Sequence, residues 1–355
     1  LDVGPGLLYF RPPLPSLAGD PQESMMNPAL ISAPLRALAA PPGPALHIPD
    51  GFLSLPIAVL FWLITLGLVA LALRHAGHDL GERQVPLIGV VAAGIFAAQM
   101  VNFPVAGGTS GHLLGGALAA IVLGPWAAIL AMTAVIGVQG LLFQDGGLTV
   151  MGANIFDMGI VTAAVGFGVH RLAVGRGRRT RMALAGLAAW CSVLAAAFVA
   201  SVQIWLSGTA DPALLFPAML GVHSLIGLGE ALLTVGALAV IFRARPDLLD
   251  AAAMRQRGSL AWVPVGLAVA LAVTLLAPWA SADPDGLERV AQDLGFISLE
   301  QGAPYVLLPG YRVPWLGDAS LSTILAGVIG ALVIFGVVVA GLSVWRRPHP
   351  AEDRP

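Results

Sequence analysis

The sequence predicts an all-α polytopic membrane protein of about nine transmembrane helices, with its N-terminus outside and its C-terminus in the cytoplasm. Three observations predict it. Of 355 residues, 57% are hydrophobic and only 11% are charged, against about 25% charged in soluble domains. Nine apolar runs lie between residues 52 and 345, and an isolated apolar run in lipid can satisfy its backbone only as a helix. The arginines that flank those runs gather on one side, which marks that side as cytoplasmic.

Residues 1–45 are rich in Pro, Ala and Gly and show neither a helical nor a strand period. They contain no apolar run long enough for a signal peptide and read as a disordered or spurious extension. The runs then fall at roughly 52–73, 86–103, 113–123, 126–143, 150–172, 182–206, 214–242, 259–279 and 319–345. Arg74 and Arg83 follow the first run. Arg171, Arg176, Arg178, Arg179 and Arg181 follow the fifth, Arg243, Arg245, Arg255 and Arg257 the seventh, and Arg346 and Arg347 the last. Nine spans place all of them on one side and put His47 on the other. Residues 46–245 form one region of seven runs. Residues 246–355 form a second region, with two runs around an external loop at 280–318 and a short cytoplasmic tail.

Composition also excludes some chemistry. A net charge of −2 gives no sign of a nucleic-acid partner. The single cysteine, Cys191, lies in an apolar run, cannot pair internally and reads as a core filler. All 18 basic residues are arginine, so the chain has no Walker A lysine to reach a nucleotide's phosphates. Any ATP hydrolysis belongs to another chain. A membrane metalloprotease is disfavoured because His-Glu-x-x-His is absent.

Of seven histidines, His75, His78, His170 and His349 lie in or beside arginine-bearing loops and read as solvated or interfacial. His47, His112 and His223 lie towards the outer side. His112 closes the stretch Asn102 to Gly111, whose Gly-Gly-Thr-Ser-Gly segment contains Thr109 and Ser110. Irregular backbone at membrane depth needs a protein cover or a cavity to line, so this stretch reads as a pocket wall, with an ordinary surface turn as the alternative. His223 and Glu230 are seven residues apart, about two turns, and share a helix face. They read either as a pathway beside a site or as a structural polar pair. Asn154 and Asp157 lie near the outer end of the fifth run, where they can orient an imidazole or pack helices.

The segment His47-Ile-Pro-Asp-Gly-Phe, the Gly-Thr-Ser-Gly-His112 loop, the segment 221–230 and Pro284-Asp-Gly-Leu-Glu288 occur in that order. With these motifs the chain resembles the substrate-capture M component of energy-coupling factor nickel/cobalt transporters, fused to the small N component, over about residues 46–345. The resemblance implies capture of Ni²⁺ or Co²⁺ outside a bacterial-type plasma membrane, with the lipid bilayer, a transmembrane coupling subunit and cytoplasmic ATPase subunits as partners and no resident cofactor. It also implies a metal site made of the terminal amine of Leu46, the amide and imidazole of His47, and the imidazole of His112. Asn102, Thr109, Ser110, Asn154, His223 and Glu230 would stand around it or along the pathway. A planar nitrogen set suits Ni(II) or Cu(II), and the fused form with this loop looks more like nickel members than cobalt ones.

One departure bears on the site. The family opens with Met-His, whereas here Ala45-Leu46 precedes His47. We read Leu46 as a non-ATG initiation codon, translated as Met in the cell. Proteolysis after Ala45 and a genuine extension with altered binding are the alternatives. Two other functions compete: a proton- or sodium-coupled transporter with Glu230 as relay, and a haem protein with His112 and His223 as axial ligands.

Overall fold

A computed structural model describes residues 47–81, 83–249 and 259–345. The expected ligand Leu46, the extension before it and the arginines after 345 lie outside the described residues. The helices are α1 (Leu55–Asp79), α2 (Gln84–Gln99), α3 (Gly116–Leu123), α4 (Pro125–Val138), α5 (Met151–Ile155), α6 (Thr162–His170), α7 (Arg178–Leu206), α8 (Pro212–Ala244), α9 (Trp262–Thr274), α10 (Gly286–Asp293) and α11 (Ala319–Trp345). A π-helical turn, Gln139–Phe143, continues α4, and a second, Phe156–Val161, joins α5 to α6.

Among the described residues, seven helical segments are long and apolar enough to cross a bilayer, not about nine. The two that fall short are α2, with 16 residues, and α3, with eight. At about 1.5 Å per residue neither reaches the roughly 30 Å of a hydrocarbon core. The apolar runs at 86–103 and 113–123 are longer than their helices because the glycine-rich stretch between them unwinds both ends. It forms an antiparallel hairpin, β1 (Phe103–Val105) with β2 (Thr109–Gly111), in the register Phe103↔Gly111. Leu113 and Leu114 are apolar and buried yet not helical.

Two buried clusters organise the chain. The larger joins α2, α4 and α11, where Phe96 lies against Gly330 so closely that a Cβ there would collide with the ring. Small residues let membrane helices approach in this way. The smaller cluster packs Ile48, Phe52 and Leu53 against Leu287, Val290 and Phe296. The His-Ile-Pro-Asp-Gly-Phe and Pro-Asp-Gly-Leu-Glu motifs therefore share one core, with Phe52 and Phe296 edge to face at 5.0 Å. Cys191 is half-buried.

Candidate metal-capture site

His47 enters the site on an extended segment fastened by distant side chains. Asn154 grips the next residue from both sides. Its Oδ1 accepts from the Ile48 N–H at 3.0 Å, and its Nδ2 donates to the Ile48 carbonyl at 3.0 Å. Asp50 accepts from the backbone N–H groups of Leu148 (3.0 Å) and Thr149 (2.9 Å) and from the Thr149 hydroxyl. The Gln301 N–H donates to the Asp50 carbonyl at 2.8 Å. Gly51 has φ +95°, and a Cβ there would collide with the Leu299 carbonyl, so glycine is required on two counts.

His47 is 2% exposed. Its Nδ1 lies 3.1 Å from the Asp145 carbonyl oxygen and 3.6 Å from the Asp145 carboxylate, and its Nε2 has no hydrogen-bond partner among the described residues. Burial holds the His47 pKa below the ordinary histidine value; Asp145 opposes that shift and His112 adds to it. The imidazole is therefore neutral at neutral pH, as a metal ligand must be. Asp145 is itself held by a hydrogen bond from the Tyr311 hydroxyl, which also accepts from Gln139 Nε2 at 3.1 Å.

The His112 loop is clamped through its backbone. Glu230 accepts from the N–H groups of Leu114 (2.6 Å) and Gly115 (2.8 Å), while Gln99 Nε2 donates to the Leu114 carbonyl at 2.9 Å. Glu230 is thus a positioning residue for the loop. On the other side, Ser110 donates through its N–H to the Pro284 carbonyl (2.8 Å) and through its hydroxyl to the Asp283 carbonyl (2.7 Å).

The His47 and His112 rings are 5.9 Å apart, inclined by 68°. With metal–nitrogen bonds of about 2.0–2.1 Å, each ring centroid sits about 3.2 Å from a bound ion, so two rings on one ion are at most about 6.4 Å apart. The observed pair fits that limit. Both rings line a cavity of about 60 Å³, with Asn154, Asp157, His223 and Asp285 also in its wall. Burial, with Glu288 and Asp145 adding to it, raises the Asp285 pKa to about 7.

The structure thus brings together His47, His112, Asn154 and His223. Glu230 and Ser110 support the loop, and Thr109 is buried at the start of β2, paired with Val105. Asn102 lies apart, lining a separate cavity of about 310 Å³ with Tyr311 and Ser281. Sequence reasoning missed Asp145, Gln99 and Asp285. The first reads as part of an Asp-Gly-Gly turn, the second as the end of an apolar run, and the third was noticed only as a motif letter.

Residues 47–248 match the protein family described as the cobalt uptake substrate-specific transmembrane region, and residues 260–347 match the PDGLE domain. The chain belongs to that transporter family. It is the substrate-specific membrane component of an energy-coupling factor uptake transporter of the nickel/cobalt class, a multi-pass protein of the cell membrane and not an enzyme. It is 38% identical to an Archaeoglobus fulgidus protein proposed to be a fused nickel transport protein, NikMN, over 82% of this chain and 96% of that one. The cobalt transport protein CbiM of Sorangium cellulosum is 32% identical over 58% of this chain and 95% of its own. A crystal structure of a truncated transition metal transporter superposes with a TM-score of 0.51 at 28% identity, covering 56% of this chain and 98% of that one.

Proposed function

We propose that the chain captures Ni²⁺ at the outer face between His47 and His112 and delivers it inward in a complex with a transmembrane coupling subunit and ATPase subunits. The carrying observation is the pair of buried imidazoles 5.9 Å apart on one small cavity. Nickel is preferred to cobalt because nitrogen donors suit tetragonal Ni(II) and because the Archaeoglobus relative is of the fused nickel type. The lack of any lysine leaves nucleotide binding to the partners.

The arginine distribution supports an external N-terminal side for the site. We read α2 and α3 as a re-entrant pair that rises towards the outer face, turns at the hairpin and returns, so that each end of the chain keeps its side and His112 reaches the level of His47. We divide the chain into a metal-binding region, 46–245, and a second region, 246–355, that docks on it.

A chain starting at Leu46 adds its amine and the His47 amide to the ligand set. That chelate uses His47 Nδ1, the nitrogen now turned to Asp145, so the ring must rotate on binding. A second reading follows from the unpartnered Nε2: with residues preceding Leu46, His47 binds through Nε2 and Asp145 holds the other nitrogen, as outer partners of metal-bound histidines commonly do. Mass spectrometry of the native N-terminus, run with metal analysis, separates them. A free amine at position 46 with one nickel per chain supports the chelate; a longer chain with the same nickel content supports the Nε2 reading. A native protein without nickel or cobalt in either form overturns both.

A further inference from the structure

The ion site is not confined to the metal-binding region. Four consecutive residues of the Pro-Asp-Gly-Leu segment are seated against it. The Pro284 carbonyl accepts from the Ser110 N–H. Asp285 is 4% exposed and lines the same cavity as both histidines. A Cβ on Gly286 would lie 2.7 Å from Ile226 Cδ1 and 3.0 Å from His223 Cε1, so only glycine lets the start of α10 come this close. Leu287 is buried in the cluster that holds Ile48 and Phe52.

Charge gives Asp285 a role. Two neutral imidazoles contribute nothing to offset a dication, and an uncompensated charge in a small buried cavity is expensive. Two carboxylates act electrostatically on His47: Asp145, from the metal-binding region, and Asp285, from the docked one. Asp157 also lines the cavity, where it accepts from Gln203 at 2.7 Å. His47, whose ring lines the same cavity, has a buried Nε2 with no hydrogen-bond partner among the described residues.

We infer that Asp285 is a charge-compensating residue of the ion site, so that the PDGLE segment completes the site for a divalent transition-metal ion. The inference rests on capture at His47 and His112. The competing role is helix capping, since Asp285 accepts from the Glu288 N–H at 2.7 Å at the start of α10. Asparagine caps about as well as aspartate, so Asp285→Asn keeps the cap and removes the charge.

The test is Ni²⁺ titration of the full-length protein in detergent, with thermal unfolding of the metal-free form alongside. The expected result is an affinity weakened about 10- to 100-fold, the usual effect of losing an outer-shell partner, with the metal-free unfolding temperature unchanged or higher. Asp285→Ser, which also caps, must weaken Ni²⁺ to a similar degree and serves if the asparagine variant does not fold. Wild-type affinity in either variant overturns the inference and leaves capture standing. A wild-type protein that takes up no Ni²⁺ overturns both.

Discussion

His47 and His112 reach one cavity from segments that are secured in different ways. The His47 segment is held by side chains aimed at its backbone and by pairing with residues 299–301 and the loop 145–149. What the C-terminal region supplies to it is mainly apolar packing, with Ile48, Phe52 and Leu53 against Leu287, Val290 and Phe296, beside the bond from the Gln301 N–H. The His112 loop is a short hairpin whose exit is clamped by Glu230 and Gln99, both within residues 46–245; the C-terminal region adds Ser110's two hydrogen bonds. Two routes to the same end imply different failures. Damage to the docking surface should loosen His47 first, whereas damage within the helices should loosen His112.

The strongest blow to that contrast removes the rings themselves. His47→Ala and His112→Ala should each abolish nickel retention, as metal analysis of purified protein would show, with membrane insertion intact. Gly51→Val comes next, because it meets both a positive φ and the Leu299 carbonyl. It should expose the C-terminal region to limited proteolysis and lower nickel affinity, and an unchanged digestion pattern would break the contrast. Glu230→Gln keeps an acceptor for one loop N–H but faces the other with a donor. An unsatisfied buried amide costs about 1–3 kcal/mol, so the unfolding temperature and nickel affinity should both fall, without increased cleavage of the C-terminal region.

A pH dependence sharpens the picture of the docked side. The Asp285 pKa is raised to about 7 in the fold, from an ordinary value near 4. Its stabilising contribution is therefore full below the ordinary value and lost as pH rises through about 7. The unfolding temperature of metal-free Asp285→Asn, relative to the unmutated chain, should rise between pH 5 and pH 8. A flat difference would show that Asp285 is not buried as described.

Much of the architecture could be read from the sequence, because a span of about 20 apolar residues is a local property. The two miscounted spans show where this fails. Leu113 and Leu114 are as apolar as any helix residue, but Glu230, 116 positions away from Leu114, supplies the acceptor that lets their backbone stay irregular. The histidines were legible because they sit in compact motifs. Asp145 was not, since its meaning comes from His47, 98 positions earlier, and from Tyr311, 166 later. Asn102, although close in sequence to the glycine-rich loop, lines a different cavity from His112.

The contacts between the two regions carry a consequence for how such a protein can be encoded. The strand-like pairing of Asp50 with Gln301, the hold of Tyr311 on Asp145 and the seat of Pro284 on Ser110 do not involve the segment 250–258 that joins the halves. Cut there and expressed as two polypeptides, the halves should find each other in the bilayer and rebuild the cavity. The Sorangium protein, which aligns with only 58% of this chain, is already the length of one half.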